Sequence, residues 1–332
     1  MSGKIELLSR FVQNTDVNIF LTGKAGTGKT TFLRNLATNT YKRMVVVAPT
    51  GVAAINAGGV TIHSFFQLPF GPIVPGGQQT DDGRQSLSLL SNKISKTKLK
   101  IMRSLDLLVI DEISMVRADL LDAVDAVLRQ VRRSSAAFGG VQLLMIGDIQ
   151  QLAPVARQNE WELLQPYYKS VYFFDSHVLQ NNPYICIELN HIYRQNDGDF
   201  INILNQVRNN CVDRHNMELL NQRCFPDFKP NDKDGYITLT THNSQADEIN
   251  DEKLKLIKSK LLTFEAEING IFPENAYPTK EILELKVGAQ VMFVKNDPSP
   301  EKQYYNGKIG KIVSYDKDEG LVVECGDEHI NV

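Results

Sequence analysis

The sequence predicts an α/β protein in which helices wind over both faces of a parallel sheet, followed by a small antiparallel barrel. Three observations carry this. Apolar runs at Arg43–Ala48, Leu105–Ile110 and Gly140–Ile146 alternate with helix-patterned segments, as in strands buried on both faces. Strand-forming residues Val17–Thr22 run straight into Gly23-Lys24-Ala25-Gly26-Thr27-Gly28-Lys29-Thr30, which matches the phosphate-binding pattern G-x-x-x-x-G-K-[ST] at every fixed position. From Leu285 the pattern changes to short strands with tight turns, at Gly288–Lys295, Gly307–Tyr315 and Leu321–Cys325.

The elements follow in order. Ile5–Gln13 is an amphipathic helix with Ile5, Leu8 and Val12 on one face. Gln13 lies just ahead of the first strand, where its paired donor and acceptor can read an adenine edge or simply face solvent. A helix begins at Lys29 and continues through Thr31–Leu36. Pro49–Ala54 leaves the next strand for a short helix closed by Gly58-Gly59. Phe70–Arg84 is rich in Gly, Pro, Gln and Asp, an irregular excursion. Lys93, Lys96, Lys98, Lys100 and Arg103 follow, with no acidic residue between Arg84 and Leu105; they form a solvated face or a phosphate-tracking patch. Arg117–Arg133 is a helix whose stripe is Leu120, Leu121, Val124, Val127, Leu128 and Val131. A second unit is expected from Tyr184–Leu189, with a helix bearing Phe200, Ile203, Leu204 and Val207, a strand at Tyr236–Thr241 and a helix from Asn243.

Composition narrows the function classes. A net charge of −3 means that nucleic-acid binding must rest on local basic patches. Cys186, Cys211, Cys224 and Cys325 show no C-x-x-C spacing, which argues against a zinc site or a disulfide framework. No apolar run reaches membrane-spanning length, and Met1–Glu6 lacks a signal-peptide core. A soluble cytoplasmic monomer is expected, nucleoid-associated if bacterial.

The motifs specify polyphosphate chemistry. Glycines in Gly23–Thr30 let successive backbone N–H groups point inward, and the helix start adds its positive end. Lys29 is a mobile charge for β- and γ-phosphates, and the Thr30 hydroxyl is a ligand for Mg²⁺. Asp111 closes an apolar strand, where a carboxylate can hold Mg²⁺ through water. Glu112 is then placed to orient or deprotonate the attacking water. Arg194, in Tyr193-Arg194-Gln195, can reach across a cleft to stabilise transition-state charge.

Gly23–Thr30, Pro49–Ala54, Thr61–Phe65, Asp111–Met115, Gly147–Leu152 and Tyr193–Gln195 occur in the order seen in Pif-type helicases, and the chain resembles that petite-integration-frequency family, related to the RecD-like enzymes of superfamily 1. Asp111–Arg129 looks like the segment that sets the family apart; Val287–Val291 and Asn306–Gly310 look like its inserted barrel. The resemblance implies a first RecA-like ATPase domain at 1–64 and 101–180 and a small inserted subdomain at 65–100. It further implies a partial second RecA-like domain at 181–284 and a β-barrel insertion at 285–332. The implied activity is an ATP-driven 5′-to-3′ helicase acting on single-stranded and on forked or structured DNA. Gln151, in G-D-x-x-Q, matches the glutamine that touches the γ-phosphate in superfamily 1.

Pro49, Thr50, His63, Ser64 and Phe65 match positions that hold DNA on the first motor domain, and Thr241-His242-Asn243 matches a backbone contact on the second. Strand-end hydroxyls and backbone suit phosphates, and Phe65 offers a stacking face; the bland alternative is a core Phe65 and a buried, satisfied His63. The family's His-Lys-Ser-Gln-Gly and Val-Ala-Leu-Ser-Arg segments are not found. A second motor domain with an incomplete sheet and one catalytic arginine fewer is therefore expected. It leaves open an ATP-gated single-strand binding module that does not translocate. A phosphate-loop ATPase acting on proteins is disfavoured by Gly147–Leu152.

Overall fold

The computed structural model describes residues 3–75, 94–193, 197–229, 236–268, 279–295, 297, 299, 301, 303–305, 307–318 and 320–332. The chain divides into two compact units, Met1–Asn221 and Gln222–Val332.

In the first unit α1 (Gly3–Asn14), β1 (Asn18–Gly23), α2 (Lys29–Asn39), β2 (Met44–Ala48), α3 (Gly51–Asn56), β3 (Val60–Thr61) and α4 (Ile62–Phe66) come first. They are followed by α5 (Lys96–Ser104), β4 (Leu107–Ile110), α6 (Ala118–Arg132), β5 (Gln142–Ile146), α7 (Gln158–Leu164) and α8 (His177–Asn181). β6 (Tyr184–Leu189), α9 (Gly198–Arg208) and α10 (Arg214–Asn221) complete the unit. The strands form one six-stranded sheet of order β3-β2-β4-β5-β1-β6. Every pairing is parallel.

The alternation of side chains along each strand builds two cores. Phe20, Leu108, Ile110, Leu143 and Met145 face the layer carrying α4, α5 and α6. Ile19, Leu21, Leu107, Val109, Leu144 and Ile146 face α1 and α2, against Leu8, Val12, Phe32 and Leu36. A strand with partners on both faces is buried end to end, as β4 and β5 are; the one polar residue among them, Gln142, donates its amide to the Val17 carbonyl at 2.8 Å. The whole predicted stripe of α6 is buried.

Two expected boundaries move. Tyr184–Leu189 does not open a second unit: as β6 it hydrogen-bonds along β1, from Asn18–Tyr184 to Gly23–Leu189. An isolated apolar strand reads the same wherever it docks, and here the open edge of β1 takes it. Nor do the described residues of 65–100 build a core of their own, since Phe65, Phe66, Leu68, Ile73 and Ile94 join the cluster around α6. Residues 76–93, including Lys93, lie outside the described residues.

The second unit contains α11 (Asn243–Leu256), a β7–β8 hairpin (Leu261–Glu265 with Ile282–Lys286), β9 (Gln290–Met292), β10 (Ile309–Asp316), β11 (Gly320–Cys325) and β12 (Glu328–Asn331). The last four form an antiparallel sheet of order β12-β11-β10-β9 around Ala289, Ile312, Val323, Cys325 and Ile330. The strand expected at Tyr236–Thr241 is irregular, and Tyr236, Ile237 and Leu239 are exposed. With no neighbouring strand among the described residues, its backbone has no ladder to join. No parallel sheet occurs among the described residues of this unit. Among all described residues, no helix is long and apolar enough to cross a membrane.

Candidate nucleotide and nucleic-acid site

The phosphate-loop residues Gly23–Thr30 connect the carboxyl end of β1 to the first turn of α2. Gly23 is required here: at φ 147° a Cβ would stand 2.5 Å from the Leu189 carbonyl of β6. Gly28 caps α2 in the left-handed region at φ 94°, where side chains are strained. Thr27 is buried, and its hydroxyl donates to the Lys24 carbonyl at 2.8 Å. The Lys29 ammonium donates to the carbonyls of Gly23 at 2.6 Å and Lys24 at 3.1 Å. Ala25, Gly26 and Thr30 complete the turn around it. Beyond β6 the chain returns to the loop, where the Tyr193 N–H donates to the Gly26 carbonyl at 2.8 Å. Arg194, next in sequence, lies outside the described residues.

Acidic groups converge on Lys29 from neighbouring strand ends. Burial pushes the Lys29 ammonium below its ordinary pKa, while Asp148, Glu112 and Asp111 pull it up and Arg208 pushes it down. Asp111 ends β4, with its N–H on the Val47 carbonyl at 2.9 Å. Burial, then the charge of Glu112, raises its carboxyl to about 6; the Glu112 N–H and Lys29 oppose the rise. That N–H donates to Asp111 Oδ1 at 3.0 Å, and Glu112 itself sits at φ 52°, uncommon for a residue with a side chain. Asp148, past β5, accepts from the Gln151 amide at 3.1 Å and from the Gln150 N–H at 3.2 Å. Thr30 and Asp111 bring hard oxygen donors to one strand-end region. A sparse set of this kind suits Mg²⁺, whose remaining ligands are phosphate and water.

Gln13 lies in the last turn of α1. Its amide donates to the Asn39 carbonyl at 3.4 Å, at the far end of α2. At 1.5 Å per residue that end lies about 15 Å from Lys29. α1 runs the other way, so it is Lys4 whose ammonium reaches the Glu188 carbonyl at the end of β6.

The expected DNA positions of the first unit lie in loops beyond β2 and β3. Pro49 is half-buried. The Thr50 hydroxyl caps α3, accepting from the Ala53 N–H at 3.2 Å, and keeps its own proton to donate. His63 lies in α4; burial, then the charge of Arg117, lowers its pKa, so the ring is neutral at pH 7. The exposed Ser64 presents its carbonyl to Gln67 and Lys98. Phe65 offers no stacking face: it is 5% exposed and packs edge-on against Phe66. A short helix lying on the sheet must bury one side, and Phe65 is on it. The available aromatic is Phe70, 76% exposed, whose ring stacks on His63 at 4.9 Å and 22°. In the second unit Thr241, His242 and Asn243 are exposed at the start of α11, with the Thr241 hydroxyl 2.9 Å from His242 Nδ1.

Sequence reasoning passed over Phe70 and Arg208. Phe70 reads as the first residue of an irregular stretch, and Arg208 as an ordinary basic residue in the last turn of α9. Phe70 is distinguished only by its exposure and its stacking on His63, and Arg208 only by a contact with Asp148, 60 residues away.

A parallel sheet that gathers a phosphate loop, an acidic pair and a Gly-Asp-x-x-Gln segment at its carboxyl ends defines a RecA-like phosphate-loop domain. The model of the PIF1-like helicase family matches residues 5–218, and the chain belongs to that family. It is 34% identical over 311 residues to the ATP-dependent DNA helicase PIF1 of Homo sapiens, covering 90% of this chain and 44% of that protein. With the Candida albicans helicase PIF1 it shares 32% identity over 90% of this chain, but only 33% of that protein is covered. The Pif1 of Bdellovibrio bacteriovorus is 31% identical, with 91% of this chain and 65% of that protein covered. The chain thus spans between a third and two thirds of these relatives. Among solved structures, Bacteroides Pif1 bound to single-stranded DNA is similar with a TM-score of 0.84 and 38% identity, over 99% of this chain and 73% of that one. Bacteroides Pif1 with ADP-AlF3 and single-stranded DNA has a TM-score of 0.82 at 37% identity, over 99% and 73% of the two chains.

Proposed function

We propose that this chain is the motor portion of an ATP-dependent DNA helicase that moves 5′ to 3′ on single-stranded DNA and acts at forked or structured DNA. The observation that carries the reading is the gathering of Asp148, Glu112 and Asp111 around Lys29 at the carboxyl ends of one parallel sheet. Lys29 and the amides of Gly23–Thr30 hold the phosphates. Glu112 orients the attacking water, Gln151 senses the γ-phosphate and Arg194 stabilises its developing charge. Mg²⁺, held through Thr30 and Asp111, supplies charge neutralisation on the phosphate oxygens when bound. Pro49, Thr50, His63 and Ser64 contact the DNA backbone, with Thr241–Asn243 as a second contact, none of them reading sequence. The names of the relatives support the helicase reading, and solved Pif1 structures hold single-stranded DNA or concern forked DNA.

The test is ATP turnover with and without single-stranded DNA. DNA-stimulated turnover that disappears in Lys29→Ala supports the proposal. Binding of both ligands without stimulated turnover would instead favour an ATP-gated binding module. Stimulation by proteins but not by DNA would overturn the DNA reading.

A further inference from the structure

α9 follows the Tyr193 segment and ends at Arg208, whose Nη1 donates to Asp148 Oδ2. The two side chains are 19% and 2% exposed. A carboxylate so far from water is costly unless paired and hydrogen-bonded, so this contact sets where Asp148 can rest. The same oxygen accepts the Gln151 amide, and the other accepts the Gln150 N–H. Burial pushes the Asp148 carboxyl up, but the bonds from Arg208, Gln150 and Gln151 outweigh it and hold it below the ordinary carboxylate range. Arg208 is also among the charges that act on Lys29.

We propose that Arg208 is a positioning residue of the nucleotide site: through Asp148 it fixes the orientation of Gln151 and ties α9 to the phosphate-loop region. The inference rests on the reading of the site as an ATP hydrolase. The order of action follows from the bonds. Arg208 fixes the carboxylate, the carboxylate fixes one donor of the amide, and the rest of that amide is left for the phosphate. Without the guanidinium, Asp148 is a buried anion with no side-chain cation bonded to it. It then turns toward Lys29 or water and releases Gln151 from its aim. Loss of aim touches the transition state more than nucleotide affinity, which the phosphate loop supplies separately.

The experiment combines Arg208→Met, Arg208→Lys and Gln151→Ala, alone and as double variants, on the 332-residue chain. Side-chain amide resonances of ¹⁵N-glutamine-labelled protein give a readout independent of turnover, with Gln151 assigned by its loss in Gln151→Ala. In Arg208→Met the Gln151 pair should move to the position of a free glutamine, and Arg208→Lys should restore part of the shift. DNA-stimulated kcat should fall about 10- to 100-fold, the scale of a misplaced catalytic group. ADP affinity should stay within about threefold, since the phosphate-loop contacts are intact. In the Gln151→Ala background, Arg208→Met should add little. An unmoved Gln151 resonance, or losses that multiply in the double variant, would overturn the inference. Failure of the parent protein to hydrolyse ATP would sink the functional reading instead, while the resonance shift still decides whether Arg208 orients Gln151.

Discussion

Replacing Phe70 by alanine removes the one aromatic face that the 62–70 segment offers to a base. The ring is 76% exposed and lies on His63 at 4.9 Å and 22°, so one face is covered and the other open. A base stacked on that face is worth about 1–3 kcal/mol. At about 1.4 kcal/mol per factor of ten, Phe70→Ala should weaken single-stranded DNA about 5- to 150-fold. Folding stability should change by no more than about 0.5 kcal/mol, as at exposed positions generally. Phe65→Ala supplies the contrast: that ring is 5% exposed, and its removal should cost about 3–5 kcal/mol of stability. Anisotropy of a labelled oligothymidine at fixed salt reads the first effect, and urea unfolding reads the second. Phe70→Trp should bind at least as well as the parent. Unchanged affinity in Phe70→Ala, or a large loss of stability, would refute the argument that this ring is a free stacking platform.

Other outcomes follow from the same site. Lys29→Ala should abolish turnover with the fold intact by circular dichroism; normal ATPase activity in the folded variant would refute the phosphate role. Glu112→Gln should keep ATP and DNA binding and stop hydrolysis, because the amide cannot accept the proton of water; lost ATP affinity would make Glu112 a binding residue. Mg-nucleotide binding should strengthen as pH rises through about 6, where Asp111 loses its proton, and Glu112→Gln should move that midpoint down by removing a raising charge. The folded state holds the Asp111 proton more tightly than the unfolded chain, so the stabilising contribution of this group is lost between pH 3.8 and about 6 as pH rises. Asp119 has a fully buried side chain, paired with Arg117 at 2.8 Å and accepting from the Ile73 N–H at 2.9 Å. Its alanine variant should lose about 3–5 kcal/mol by urea titration, because Arg117 is left without that partner.

What the amino-acid order determined by itself is local. Continuous apolar runs allow only strands covered on both faces, and the glycine spacing of Gly23–Thr30 permits only a tight loop opening a helix. The α6 stripe names its buried face through a period of 3.6 residues. These features depend on neighbours a few residues away, so they are legible in the chain. Tertiary structure alone decided where Tyr184–Leu189 pairs, because strand-forming residues carry no address and the edge of β1 is 166 residues distant by register, as in Asn18–Tyr184. It also buried Phe65 and exposed Phe70. The helical period marks Phe65 and Phe66 as apolar but cannot say which surface the sheet will cover. Arg208 is the clearest case. Its meaning comes from Asp148, 60 residues away in sequence, and a cation acquires a role only when folding removes water from around the carboxylate it meets.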